Sequence, residues 1–163
     1  MSIGRIEDMT MDTFKLTDHN RANYNVCKEM LSHPDCFRLI FFHLPSSEGL
    51  HLKYAIINFW KDSVNWRSVT MKEFTNDLLT EIYKGTRPFD MSKYDEPDVL
   101  LVDDVQQIAK KEATQEEFYN ILKRRLESKK LTVIFSPYSI EHLSMSTSNE
   151  LIQLLLLGVP EEA

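Results

Sequence analysis

The stretch Val99-Leu100-Leu101-Val102-Asp103-Asp104 decides how this chain is read. Four apolar residues in a row are too few for a helix core and have no polar alternation. They describe a strand buried on both faces, as in a parallel sheet covered by helices. The strand ends abruptly in two carboxylates. In an open parallel sheet, ligands bind beyond the carboxyl ends of the strands, so the paired acids stand where chemistry is to be sought.

Working outward, residues 37–43 (FRLIFFH) and 131–136 (LTVIFS) have the same short, apolar, β-rich character, and residues 67–70 form a weaker fourth candidate. Helical patterns separate these strands. From residue 50 to 60, Leu52, Ala55, Ile56, Phe59 and Trp60 fall at the spacing of one amphipathic face. Thr70 with Glu73, and Thr114 with Glu117, have the spacing of capping boxes that open helices. The first of these helices presents Phe74, Leu78 and Ile82, the second Phe118, Ile121, Leu122 and Leu126. An earlier helix runs from Asp18 or His19 to Leu31 with Val26, Cys27, Met30 and Leu31 inward, and residues 84–97, with Gly85, Pro88 and Pro97, read as a loop. Strands alternating with helices predict an α/β three-layer sandwich around a mostly parallel sheet.

At 163 residues the chain suits a single domain, and 42% hydrophobic with 27% charged residues is the composition of a folded protein rather than a disordered one. A formal net charge of -6 offers no general attraction to phosphate backbones or anionic membranes. The basic run Lys123, Arg124, Arg125, Lys129 and Lys130 is diluted by Glu117 and Glu127 and reads as a solvated helix face. No signal or membrane-spanning stretch is visible, which places the chain in the cytoplasm with no membrane partner. Cys27 and Cys36 read as reduced thiols. The histidines at 19, 33, 43, 51 and 142 show no ligand spacing, so no metal site is expected.

The longer segment PDVLLVDDVQQIAKKEATQEEFYNIL, residues 97–122, closely resembles the Walker B region of the bacterial replication initiator DnaA family. Residues 12–25 (DTFKLTDHNRANYN) resemble the family's opening segment, with Asn20 and Arg21 matching a pair placed near adenine. Residues 69–82 (VTMKEFTNDLLTEI) are similar to the helix after its second strand. The resemblance covers about residues 10–159, leaving 1–9 as a flexible tail. It implies a P-loop NTPase or AAA+ core, here without the helical lid and DNA-binding domains of full-length initiators. Asp103 and Asp104 become the Walker B acids, which in P-loop ATPases hold magnesium.

The resemblance also shows what has been replaced. A P-loop needs G-x-x-x-x-G-K-[ST] so that backbone N–H groups, a lysine and a hydroxyl close on the phosphates and metal. The register set by HLKYAI (residues 51–56), which resembles the family's next helix, puts His43, Leu44, Pro45, Ser46, Ser47, Glu48, Gly49 and Leu50 there. Leu50 cannot ligate a metal, Gly49 has no charge, Pro45 has no N–H, and Glu48 would face the phosphates. One like-charge contact at about 4 Å costs on the order of 4 kcal/mol at an effective dielectric near 20, roughly a thousandfold in affinity. A displaced lysine such as Lys53 is the one route back to a nucleotide. The family's polar sensor is replaced by Pro137 and Tyr138, and its arginine finger by Gln153, Leu154 and Leu155 before Gly158.

These losses predict no ATPase activity and no cofactor, with Asp103 and Asp104 left as caps and surface charge. The apolar run LIQLLLL, residues 151–157, is the expected interface, through Leu151, Leu154, Leu155 and Leu157. The function expected is a non-catalytic, DnaA-like interaction module that regulates replication initiation. Its partner would be the initiator, the helicase or its loader, or a second copy. Two other readings stay open: a weak ATP-binding protein or NTPase using Asp103 and Asp104, and a single-stranded DNA-binding module. The acidic balance disfavours the latter.

Overall fold

The computed structural model describes residues 5–84, 92–108 and 110–160, with side chains 81–84 excluded. The apolar runs become four parallel strands: β1 (Leu39–His43), β2 (Trp66–Thr70), β3 (Val99–Asp103) and β4 (Leu131–Ser136), in the order β1-β4-β3-β2. The weak fourth candidate is therefore a strand, pairing along its length with β3 from Trp66 opposite Val99 to Thr70 opposite Asp103. β1 starts at Leu39 because residues 34–36 form a 3-10 turn after the preceding helix.

Alternation along each strand divides the core into two layers. Ile40, Phe42, Leu101, Val133 and Phe135 face a cluster built with Cys27 and Met30 of α1 (Arg21–Ser32) and Leu52 and Ile56 of α2 (Ser46–Trp60). Leu39, Phe41, Leu100, Val102 and Ile134 face Phe74 of α3 (Met71–Lys84), Phe118 and Ile121 of α5 (Glu112–Glu127), and Leu151 and Leu155 of α7 (Asn149–Leu156). Two short helices, α4 (Ser92–Asp95) and α6 (Ile140–Leu143), complete the described fold. Thus the predicted three-layer α/β architecture is the one observed.

Several local expectations give way to tertiary contacts. Thr70 caps α3 as expected, accepting a 3.0 Å hydrogen bond from the Glu73 N–H, yet the Glu73 carboxylate turns to Lys93 instead of back to the cap. α5 begins at Glu112, so Thr114 lies inside the helix and is buried rather than capping it. Phe59 points away from the core and is 60% exposed, whereas Leu52, Ala55, Ile56 and Trp60 are buried. Where the sequence predicts a tail over 1–9, residues 5–9 carry a 3-10 turn at Ile6–Asp8, and Asn58 Nδ2 donates to the Ile6 and Met9 carbonyls. Of the predicted loop 84–97, residues 85–91 lie outside the described residues, as does the Ile82 side chain; 92–95 are helical.

One buried charge ties the amino end of the sheet together. Arg125 of α5 is 1% exposed and donates to the Tyr94, Pro97 and Leu131 carbonyls at 2.8 Å and to Thr132 Oγ1 at 2.8 Å. It anchors the chain entering β3 and so aims that strand's far end at the site. The expected basic face is accordingly broken up: Arg125 is inside, Arg124 pairs with Asp95 at 3.2 Å, and Lys130 bonds the Asp95 and Glu96 carbonyls. Cys27 is buried, Cys36 exposed, and both are free thiols. Among the described residues no helix is long and apolar enough to cross a membrane.

Candidate functional site

β3 delivers Asp103 and Asp104 to the carboxyl edge of the sheet, as its sequence requires. There they line an open cleft of about 220 Å³ with Leu44, Ser46, Gly49, Leu50, Phe135, Ser136 and Pro137. Asp104 adopts a left-handed conformation with φ of 57°, tolerable for Asp, and turns the chain into a 3-10 turn over Val105–Gln107. Its side chain makes no cap bond to that turn; Gln106 Nε2 donates to its Oδ1 at 3.3 Å.

Opposite the acids, the residues aligned with a phosphate loop are not a loop. His43 ends β1, Pro45 precedes α2, and Ser46, Ser47, Glu48, Gly49 and Leu50 form the helix's first turns. Proline in an extended conformation before a helix leaves no unsatisfied N–H of its own, and an acid in the first turn complements the helix dipole. Gly49 needs no glycine geometry: a Cβ added there would meet only Phe135 Cδ1 at 3.8 Å. Leu50 is 41% exposed at the cleft.

Asn20 and Arg21 part company. Asn20, before α1, is 1% exposed and fully engaged: its Oδ1 accepts from the Thr17 N–H at 2.8 Å, and its Nδ2 donates to the Lys15 carbonyl at 3.1 Å and to Glu48 Oε1 at 2.6 Å. Arg21 is in solvent, 3.5 Å from Asp18. The Glu48 carboxylate is thus held by the residue aligned with an adenine contact.

Asp103 is neither surface charge nor a cap, contrary to the sequence reading. Its Oδ2 lies 2.5 Å from Nζ of Lys53, with side chains 18% and 11% exposed. Lys53 belongs to the inner stripe of α2 that also buries Gly49, Leu52, Ile56 and Trp60. Burial raises the Asp103 carboxyl above the ordinary carboxylate range, Lys53 pulls it back, and Asp104 adds to the rise. Lys53, named from the sequence as a displaced lysine, does therefore stand opposite the acids, but it is paired with Asp103.

The remaining predicted positions are dispersed. Ser136 Oγ donates to the Tyr138 carbonyl at 2.7 Å and accepts from the Tyr138 N–H at 2.9 Å, closing a turn where a sensor was sought, and Tyr138 stacks on His142 with ring centroids 4.6 Å apart. Of the expected interface leucines, Leu151 and Leu155 are core residues at 0% and 1% exposure, and Leu154 is half-buried against them. The leucines that face solvent are Leu156 and Leu157, followed by Val159.

The bacterial DnaA ATPase domain model matches residues 6–158. The chromosomal replication initiator protein DnaA of Thermoanaerobacter sp. (strain X514) is 35% identical over 132 residues, covering 78% of this chain and 30% of that protein. The chain therefore spans less than a third of that relative's length. The structure of AMPPCP-bound DnaA from Aquifex aeolicus superposes with a TM-score of 0.82 at 26% identity, over 94% of this chain and 50% of that one. The DnaC helicase loader shares the fold with a TM-score of 0.73 at 15% identity, over 98% and 100% of the two chains.

Proposed function

The chain belongs to the bacterial DnaA ATPase-domain family, and from that premise we propose that it is a non-catalytic protein-interaction module in the initiation of chromosomal replication. Its partner is the initiator or the helicase-loading machinery. The observation that carries this reading is that both halves of the family's nucleotide site are satisfied from within. Asn20 is bound to Glu48, and Asp103 to Lys53.

A magnesium–nucleotide does not fit these residues. The hydroxyl that would ligate the metal is a leucine, Leu50, and the P-loop lysine position is Gly49. Lys53 is engaged by Asp103, and the Glu48 carboxylate in the first turn of α2 is held by Asn20. Admitting a triphosphate would require breaking a buried ion pair, which costs several kcal/mol when one charge is left uncompensated. A surface for partners is available in Leu156, Leu157 and Val159, which are 47%, 73% and 43% exposed.

Affinity capture from the source cell extract, followed by binding to purified initiator and helicase loader, tests the reading. Replication-initiation proteins are expected in the captured set, and Leu157→Asp is expected to lose them while changing stability by no more than about 0.5 kcal/mol. Capture of none of them, with a monomeric chain in solution, defeats it. Thermal denaturation with magnesium–ATP tests the competing nucleotide reading. A ligand at about 100 times its dissociation constant stabilises by about 2.7 kcal/mol, so a shift of that size would establish ATP binding; none is expected.

A further inference from the structure

Lys53 is the anomaly of α2. Every other residue on its inner stripe is apolar, and an ammonium placed among them is tolerable only with a carboxylate beside it. The carboxylate it meets is the one at the end of β3, aimed at the cleft and flanked by Asp104. Two adjacent acids at a strand end would otherwise repel each other and call for a cation.

We propose that the Lys53 ammonium is the site's resident cation, occupying at Asp103 the place of a divalent metal ion, so that this chain neither needs nor accepts such an ion there. The assignment rests on the nucleotide-free reading above and extends it to the metal. With Lys53 in place, Asp103 carries no uncompensated charge, and a divalent ion brought to it would stand against a fixed positive charge at short range. Asp104 alone is a single surface-edge carboxylate, too few ligands for magnesium or manganese.

The test uses the whole 163-residue chain, with thermal unfolding and Mn²⁺ paramagnetic resonance as readouts. The wild-type melting temperature is expected to be unmoved by millimolar Mg²⁺ or Mn²⁺, with no bound-Mn²⁺ signal. Lys53→Met keeps the stem and removes the charge, and is expected to melt roughly 5–10 °C lower. A merely structural ion pair would stop there. A resident cation predicts that Lys53→Met gains a Mn²⁺-dependent rise in melting temperature, which the double variant Lys53→Met/Asp103→Asn lacks.

A wild-type chain that binds Mn²⁺ at Asp103, or a Lys53→Met chain indifferent to Mn²⁺, overturns the assignment. If Lys53→Met does not fold alone, the Mn²⁺ titration is run during its refolding, where rescue by the metal supports the assignment and failure of rescue counts against it. Stabilisation of the wild type by magnesium–ATP without any response to Mn²⁺ alone would sink the nucleotide-free reading, while in the nucleotide-free chain Lys53 would remain the cation at Asp103. A response to Mn²⁺ with none to ATP would do the reverse.

Discussion

The two ends of the sheet each bury a cation, and they do so differently. At the amino end Arg125 is surrounded by carbonyl oxygens, that of Asp98 at 3.5 Å among them, and one hydroxyl, with the Asp95 and Asp98 charges acting at longer range. Burial lowers its guanidinium to about 10, which still leaves it charged at neutral pH. At the carboxyl end Lys53 meets a single carboxylate at the rim of an open cleft. The planar fork of arginine can satisfy several backbone acceptors at once and acts as a staple, whereas the point charge of lysine neutralises one partner. The first arrangement holds the fold; the second neutralises an acid at the edge of the cleft.

The largest effect should come from breaking the staple. Arg125→Met leaves the Tyr94, Pro97, Asp98 and Leu131 carbonyls and Thr132 without this donor, and is expected to cost roughly 3–5 kcal/mol in urea unfolding. Asp103→Asn at the other end strands the Lys53 ammonium and is expected to cost less, roughly 2–3 kcal/mol, because the pair borders the cleft. A larger loss at Asp103 than at Arg125 would reverse the division between staple and site.

Glu48→Ala should cost about 1 kcal/mol, since Asn20 keeps its bonds to the opening segment and loses only one acceptor. The smallest change is a pH dependence away from both ends. Lys93 of α4 pairs with Glu73 and, at 2.9 Å, with Asp77 of α3, and Tyr94 donates to Asp77 at 2.6 Å. Burial pushes the Asp77 carboxyl up, but those hydrogen bonds and the Lys93 charge hold it below its ordinary 3.8. A depressed carboxylate stabilises the fold above its unfolded value and loses that stability as pH falls through the folded one. Lys93→Met should therefore flatten the decline in urea midpoint below about pH 3.8; an unchanged acid limb would remove Asp77 from the acid response.

Legibility in the sequence followed how local the deciding interactions were. The strands at 39–43, 99–103 and 131–136 were readable because burial on both faces leaves a continuous apolar run. Residues 46–49 were misplaced in a loop because resemblance set their register, while Pro45, Ser46, Ser47 and Glu48 themselves suit a helix start. Across the end of α7 every residue from 154 to 157 is a leucine, so periodicity could not say which face is inside; packing on α5 and β1 chose Leu151, Ile152 and Leu155. Phe59 fitted the apolar spacing of α2 and still points to solvent.

By itself the sequence determined the α/β order and the acidic end of β3. Those follow from residue type and short-range period, which the chain carries locally. Only the tertiary structure decided where the two acids and their neighbours spend their charge, because Asn20 and Glu48 lie 28 residues apart and Lys53 and Asp103 lie 50 apart. Such pairs exist only once α2 has packed on the sheet and brought its inner stripe against the end of β3.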